Sequence, residues 1–383
     1  MNAAPILDDA RELVAPGAFE LETPCYVFDP VVVARDHAAL KETLGTGLVV
    51  SVKANPVLDL LARCGHLFTD GIEIASLGEL NLTVGRAAVP RFITTPAMTS
   101  NLVASAIACR ATLVADSLSQ LEMILKIAEA RRVEVRIALR VNTACLPGAH
   151  LPPSAQDHFG MDLTDTLAAL ERVHQEGMYI DGLHTFAGSN TFLSNHRLVA
   201  SGMAALVEQV SGHSAARLAF VSLGGGIPAD WRNTSIDWPG YRAHLSSLFG
   251  QMPLLHEAGR AVFSACGRFV VRVLGVKQID GRQIAVCDGG MAHSFLLAQT
   301  ENVLKRVITP RVLDAALPSR TAAAAKPTVV IGNSCNRADV LGRVQEHRLS
   351  EGDLLIFEGC GSYHTYSPNG FLNLKSPRIY VAS

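Results

Sequence analysis

The sequence predicts an α/β chain: a (β/α)8 TIM barrel with an appended β-sandwich or β-barrel domain. Three observations predict it. From about Pro24 to about Ala265, short apolar and often β-branched runs alternate with longer stretches of helical spacing, the pattern of a parallel sheet crossed by helices. Eight such runs occupy about 240 residues, the usual size of a closed barrel. Past Ala265 the helical spacing fades and strand-like runs follow one another, so an all-β unit completes the chain of 383 residues. A doubly wound sheet is the alternative arrangement of the same βα units. The expected division is 26–260 for the barrel, and 1–25 with 261–383 for the β-domain.

In chain order the expected barrel strands are Tyr26–Phe28, Leu48–Lys53, Gly71–Ala75, Arg91–Thr94, Thr112–Ala115, Val135–Val141, Ile180–His184 and Ala219–Leu223. Helical stretches between them include Val31–Leu44, Ser76–Val84, Ser119–Arg131, Asp162–Glu176 and Ser194–Val210, each with an apolar and a polar face. The β-domain strands are Phe269–Lys277, Gln283–Cys287, Thr328–Ile331, Asp353–Phe357 and Arg378–Val381. Asp280-Gly281 and Pro368-Asn369-Gly370 supply turns, and the low-complexity run Thr321–Lys326 a surface linker.

Composition narrows the function classes. Hydrophobic residues make up 49% and charged residues 18%, enough for a large core and against disorder. Thirty-three Lys and Arg balance 35 Asp and Glu, a net charge of −2 that lacks the basic excess of a nucleic-acid binder. No apolar run reaches the length of about 18 residues that a membrane-spanning helix needs. Eight cysteines (25, 64, 109, 145, 266, 287, 335 and 360) form no C-x-x-C pair, so no metal site is expected from them. They read as free thiols of a reducing compartment. With no secretory signal in Met1–Glu22, a cytoplasmic protein is expected.

Several segments carry candidate chemistry. In Val49-Val50-Ser51-Val52-Lys53-Ala54-Asn55-Pro56 a lysine closes an apolar strand at the end where barrel enzymes place their catalytic groups. Burial favours its neutral amine, as imine chemistry requires; a lysine that snorkels from a strand end gives the same pattern. Gly224-Gly225-Gly226 follows the last expected strand and can turn backbone N–H groups onto a phosphate, or serve only as a tight turn. Glu257-Ala258-Gly259-Arg260 offers an acid for a heterocycle nitrogen and a base for an anion, or an ordinary exposed pair. His184 at a strand end can stack on a ligand ring or satisfy the core. Cys335 can move a proton or pack as a small hydrophobe. Tyr363, past a glycine-flanked turn, can meet a phosphate or simply pack.

Taken in order, these segments resemble the fold-type III pyridoxal-phosphate decarboxylases, the ornithine/diaminopimelate decarboxylase family, an alanine racemase/ornithine decarboxylase-like fold. The resemblance runs from about Tyr26 to the C-terminus. It includes Val52-Lys53-Ala54-Asn55, Glu73-Ile74-Ala75-Ser76-Leu77-Gly78-Glu79, Leu139-Arg140-Val141-Asn142, His184, the glycine run, Glu257–Arg260, Cys287-Asp288-Gly289-Gly290-Met291, Cys335 with Asp339, and Gly361-Ser362-Tyr363. It implies pyridoxal 5'-phosphate as cofactor and removal of an amino acid's α-carboxylate. By resemblance, Lys53 binds the cofactor covalently, His184 stacks on its ring, and Glu257 pairs with the ring nitrogen. Glu73 and Arg140 support lysine and cofactor, while Ser189, Gly224, Gly225, Gly226, Gly259, Arg260 and Tyr363 hold the phosphate. Cys335 protonates Cα from the other subunit of a homodimer with shared active sites, and Asp339 helps build that interface. Alanine racemases resemble the chain less, since they place an arginine where Glu257 stands.

Departures from the family pattern point to the substrate. Diamine-forming relatives carry an acid directly after the cysteine, where this chain has Asn336. Diaminopimelate enzymes carry an arginine where this chain is apolar, near Leu296. The segment after His184 is also altered, and His293-Ser294-Phe295 looks closer to the siderophore branch, whose substrates are citryl–amino acid conjugates. The expected substrate is such a conjugate, citryl-ornithine or citryl-diaminopropionate, met by Asn336, Arg337, His293, Tyr363 and Phe371, with His364 and Asn369 as further candidates. The alternatives are a free amino acid of the diaminopimelate, ornithine, lysine or arginine type, and beyond these a non-catalytic decarboxylase-like binding protein or a racemase.

Overall fold

The computed structural model describes residues 21–85, 88–148, 158–302, 306–313, 327–366 and 371–382. Two compact units divide the chain: Ala34–Val262, and the described residues of Met1–Val33 with Phe263–Ser383. The linker Thr321–Lys326, the turn Pro368-Asn369-Gly370 and residues 1–20 lie outside the described residues.

After β1 (Cys25–Phe28) and α1 (Pro30–Leu44), the barrel unit alternates as expected. It comprises β2 (Gly47–Ser51), α2 (Leu58–Cys64), β3 (Ile72–Ile74), α3 (Leu77–Thr83), β4 (Arg91–Thr94), α4 (Ser100–Ala108), β5 (Thr112–Ala115) and α5 (Leu118–Arg131). It continues with β6 (Arg136–Arg140), α6 (Leu163–Gln175), β7 (Ile180–His184), α7 (Phe192–Val210), β8 (Ala216–Ser222), α8 (Trp238–Phe249) and β9 (Leu254–Ala258). Strands β2 to β9 close into an eight-stranded parallel barrel.

Eight barrel strands were expected, and eight are present, but the membership differs by one. Cys25–Phe28 pairs antiparallel with Gly267–Val270 and parallel with Arg378–Val381, so it belongs to the β-domain. Leu254–Ala258 is the true eighth strand and pairs with Gly47–Val50 to close the ring. The reason is compositional. Cys-Tyr-Val-Phe is buried at every position and reads as any buried strand, whereas His256 and Glu257 break the apolar run of Leu254–Ala258. The glycine run therefore follows the seventh barrel strand, not the last, and the β2 strand ends at Ser51, leaving Lys53 in a 3-10 turn.

Local chemistry starts the helices. Ser76 accepts from Glu79 N, and the Glu79 carboxylate in turn accepts from Ala75 N at 2.8 Å, a reciprocal cap. Ser117 and Gln120 repeat the arrangement at α5, with Asp116 N donating to Gln120 Oε1 at 3.0 Å. Each cap fixes where its strand-to-helix loop ends, at the barrel end where the strands terminate.

Inside the barrel, Val49, Phe92, Val114 and Ala138 form an apolar layer with Phe220 and Leu255. The two remaining strands contribute glycine. A Cβ at Gly71 would come within 2.7 Å of the Phe92 ring, and one at Gly182 within 2.4 Å of the Phe220 ring. The two rings meet edge to face at 5.4 Å and fill the bore.

The second unit follows α9 (Arg260–Phe263). It contains β10 (Gly267–Ile279), β11 (Arg282–Cys287), α10 (Phe295–Asn302), β12 (Arg311–Leu313), β13 (Thr328–Ile331), β14 (Val340–Val344), β15 (Leu354–Phe357) and β16 (Arg378–Val381). Its sheet runs β12-β15-β10-β11-β13-β14, with β1 beside β10 and β16. Asp280 and Gly281, both at positive φ (49° and 73°), make the β10–β11 turn as expected. Leu21, Cys25, Val27, Val270, Leu354 and Ile356 form one core cluster of this sheet. All eight cysteines are free. Among the described residues no helix is long and apolar enough to cross a membrane.

One buried histidine sets an acid limit. His256 is fully buried on the outer face of β9, between Thr46 Oγ1 at 2.8 Å and Tyr241 OH at 3.0 Å. Burial lowers its pKa to about 3. Unfolded, the ring titrates near 6.5. As pH falls from about 6.5 toward about 3, the unfolded chain takes up a proton that the folded chain refuses, so stability drops by up to about 1.4 kcal/mol per pH unit. Melting temperature measured from pH 7 to pH 4 should fall less steeply in His256→Gln; equal slopes would remove His256 from the account.

Candidate active site

Two residues past the apolar layer, inward-facing positions on successive strands become polar, because strand side chains alternate with a period of two. From β2 to β9 the upper layer is Ser51, Glu73, Thr94, Asp116 (one residue past β5), Arg140, His184, Ser222 and Glu257. Seven of these are buried, and Asp116 is nearly so. A complete polar ring over an apolar floor does not serve packing, since each buried polar group needs a partner.

The partners fall into three groups. Lys53 Nζ meets both oxygens of Glu73, at 2.7 and 2.8 Å, while Ser51 Oγ donates to Glu73 Oε2 at 2.5 Å. Arg140 pairs with Asp116 at 3.2 Å and lies 4.7 Å from the Phe159 ring centre. Asp116 also accepts from Gly160 N at 3.1 Å, which ties residues 159–160 to the barrel end. His184 Nε2 lies 2.9 Å from Glu257 Oε1, and Ser222 Oγ donates to the same oxygen at 3.4 Å. Burial alone would raise the Glu257 pKa, but the charges of His184, Lys53 and Arg140 outweigh it and hold the carboxyl below its usual range.

The glycine run lies against two neighbouring loops. Gly224 and Gly226 sit at φ 67° and 82°. A Cβ at Gly224 would fall 2.2 Å from Thr185 O, one at Gly225 2.6 Å from Glu257 O, and one at Gly226 2.4 Å from Gly188 O. Only glycine allows this approach. Ser189 stands exposed on the adjoining turn, and Gly259 is buried directly after β9, with Arg260 half-buried at the start of α9. Lys53, Glu73, Arg140, His184, Ser189, Gly224–Gly226, Glu257, Gly259 and Arg260 thus share one end of the barrel.

The remaining sequence candidates lie in the other unit. Cys335, Asn336 and Arg337 are exposed on the β13–β14 loop. Asp339, buried beneath that loop, accepts from Met291 N at 2.7 Å and Ser334 N at 3.1 Å, and so fixes the loop from inside its own unit. Tyr363 sits at φ 64°, a left-handed conformation that costs a non-glycine residue about 1–3 kcal/mol. Phe371 is 36% exposed, and Asn369 lies outside the described residues. His293, expected as a substrate ligand, is held by nearby backbone. It is buried, its Nδ1 accepts from Gly290 N at 3.1 Å, and its Nε2 lies 3.1 Å from Lys375 O, so both ring nitrogens are engaged in its own unit. His364 likewise bonds Ser294, at 3.1 Å.

Sequence reasoning missed Ser51, Thr94, Asp116 and Ser222. Their common signal is parity, each standing two residues past an apolar inward position.

Residues 32–272 match the model of the family described as "Pyridoxal-dependent decarboxylase, pyridoxal binding domain". The chain belongs to this family. It is a pyridoxal 5'-phosphate-dependent amino acid decarboxylase. A diaminopimelate decarboxylase of Bacteroides thetaiotaomicron is 24% identical, across 94% of this chain and 96% of that protein. An L-glutamyl-[BtrI acyl-carrier protein] decarboxylase of Niallia circulans is 25% identical, across 93% and 88%. In fold, the chain is similar to the diaminopimelate decarboxylase of Helicobacter pylori complexed with L-lysine, with a TM-score of 0.80, 19% identity and coverage of 95% and 92%.

The residues of this barrel end fit the family's cofactor. The glycine cradle leaves backbone room that any Cβ would fill. Two buried polar atoms of this layer, His184 Nδ1 and Thr94 Oγ1, have no hydrogen-bond partner among the described residues. An amine, an acid held in its charged form and an open backbone cradle are the three groups a phosphorylated aldehyde heterocycle requires.

Proposed function

We propose that the chain removes the α-carboxylate of a free amino acid of the diaminopimelate, ornithine, lysine or arginine type, at the polar end of the barrel. The observation that carries this reading is the end-to-end similarity to proteins named diaminopimelate decarboxylase, seven of them from different species. It supports a free amino acid better than the citryl-conjugate substrate expected from the sequence.

Bound pyridoxal 5'-phosphate supplies the electron sink for the pair left at Cα when CO2 departs. The chain's own residues do the rest. Lys53 attaches the cofactor through Nζ, and Glu73 holds that amine in place. Glu257 would keep a proton on the ring nitrogen, and Arg140, paired with Asp116, would support the lysine and cofactor. His184 packs on the ring face. Gly224–Gly226, Gly259, Arg260, Ser189 and Tyr363 hold the phosphate. Cys335 returns a proton to Cα in the site of a second copy, so the working unit is a homodimer. Asn336, Arg337 and Phe371 meet the distal part of the substrate.

One second reading has an observation behind it. Asn336 offers no charge for a distal ammonium, and the Niallia circulans relative is named for a glutamyl group carried on a protein. A substrate without a distal ammonium suits both facts, and a citryl conjugate, whose distal amine is an amide, is one such molecule.

Carbon dioxide release from diaminopimelate, ornithine, lysine, arginine and their citryl amides separates the readings. A free amino acid should be turned over at least about tenfold better in kcat/KM than its conjugate, a difference of about 1.4 kcal/mol. The reverse order favours the conjugate, and no release from any of them defeats the decarboxylation of this substrate class.

A further inference from the structure

Ser51 and Glu73 are cross-strand partners on β2 and β3, and both side chains face into the barrel. Ser51 is 5% and Glu73 3% exposed, so their hydrogen bond is shielded from solvent. The Glu73 carboxylate is shared. Lys53 Nζ approaches both oxygens, and the Ser51 hydroxyl donates to Oε2 at 2.5 Å, closer than either lysine contact. The Ser51 side chain does not cap the turn that follows it.

The physical consequence lies in Lys53. A buried carboxylate favours the ammonium form of the amine beside it, and only the neutral amine is a nucleophile. A hydroxyl donating to the same carboxylate takes up part of its charge and weakens its hold on the ammonium proton. We propose that Ser51 is a positioning residue that acts through Glu73 to set the fraction of Lys53 able to react with the cofactor aldehyde. The step joins Nζ to the aldehyde carbon, releases water, and sends the ammonium proton to solvent. This inference rests on Lys53 being the attachment site. Glu79 at the start of α3 and Glu257 on β9 also act electrostatically on the pair. The variants below leave both in place.

The test measures the rate at which pyridoxal 5'-phosphate becomes covalently attached to apoprotein, by absorbance, from pH 6 to pH 10. In Ser51→Ala the pH of half-maximal rate should rise by about 0.5 to 1 unit, with the high-pH plateau unchanged, since one hydrogen bond to a charged group is lost. Ser51→Thr keeps the hydroxyl and should restore the wild-type profile. Glu73→Gln should move the midpoint the opposite way. If Ser51→Ala fails to fold, Ser51→Cys replaces a strong donor by a weak one and should shift the midpoint in the same upward direction. A Ser51→Ala or Ser51→Cys profile that superimposes on wild type, or differs only in plateau height, overturns the proposal. Borohydride reduction followed by peptide mapping keeps the two claims apart. Label on another lysine defeats the attachment reading, whereas label on Lys53 with an unshifted profile defeats only the role of Ser51.

Discussion

Lys53→Ala is expected to fold, to show no covalently bound cofactor by absorbance, and to lose more than about 10³-fold in kcat. The expected loss is large because the proposed role puts the amine at the reacting atoms, whereas the fold asks little of it. Its side chain is 40% exposed, and the barrel floor on this strand, Val49, lies four residues back. Removing it does leave Glu73 short of a charged partner, with Ser51 still donating, so a small fall in melting temperature accompanies the loss. Mixing this variant with Cys335→Ser tests the shared site at the same time. If each site takes its lysine from one copy and its cysteine from the other, mixed dimers contain one intact site, and equal mixing should recover about a quarter of wild-type activity. Recovery of none would assign both residues to one chain.

Glu257→Gln is expected to lower kcat by about 10²- to 10³-fold while changing cofactor affinity only a few-fold. The glutamine is nearly isosteric, so Ser222 and His184 keep a hydrogen-bonding neighbour. What disappears is the charge. His184, Lys53 and Arg140 hold the wild-type carboxyl below its usual range, so Glu257 is anionic throughout the neutral range, as its proposed pairing with the ring nitrogen requires. Single-turnover CO2 release at pH 7 measures the effect. A variant with near-normal release would show that the charge facing the ring nitrogen does not matter, and would move the acid's role elsewhere.

Much of the fold and part of the site can be read from the sequence, and the boundary between legible and illegible is physical. Lys53 and Gly224–Gly226 are legible because their signals are local: an apolar strand with a charge at its end, and a backbone freedom that only glycine offers. Glu257 is legible as a residue but not as part of a strand, because the polar pair His256-Glu257 erases the apolar run that marks β9. Ser51, Thr94, Asp116 and Ser222 stay hidden for another reason. Each is an ordinary polar residue until the register of eight strands shows that it faces inward beside the others. The backbone partners of both His293 ring nitrogens are likewise a tertiary fact that the His-Ser-Phe run does not disclose.

The path of the chain imposes an order on folding. Tyr26 pairs with Phe269 and with Ile379, so the first strand of the β-domain is synthesised before the whole barrel and both its partners after it. A contact between such distant segments is slow to form by chance. Closure of β2 onto β9 shortens the search, because the folded barrel draws together the stretches of chain that precede and follow it. Until then Cys-Tyr-Val-Phe is an unpaired apolar strand with both edges open, a template for pairing with another chain. Lesions that slow barrel closure, rather than those that weaken the finished sheet, are where aggregation during synthesis should begin.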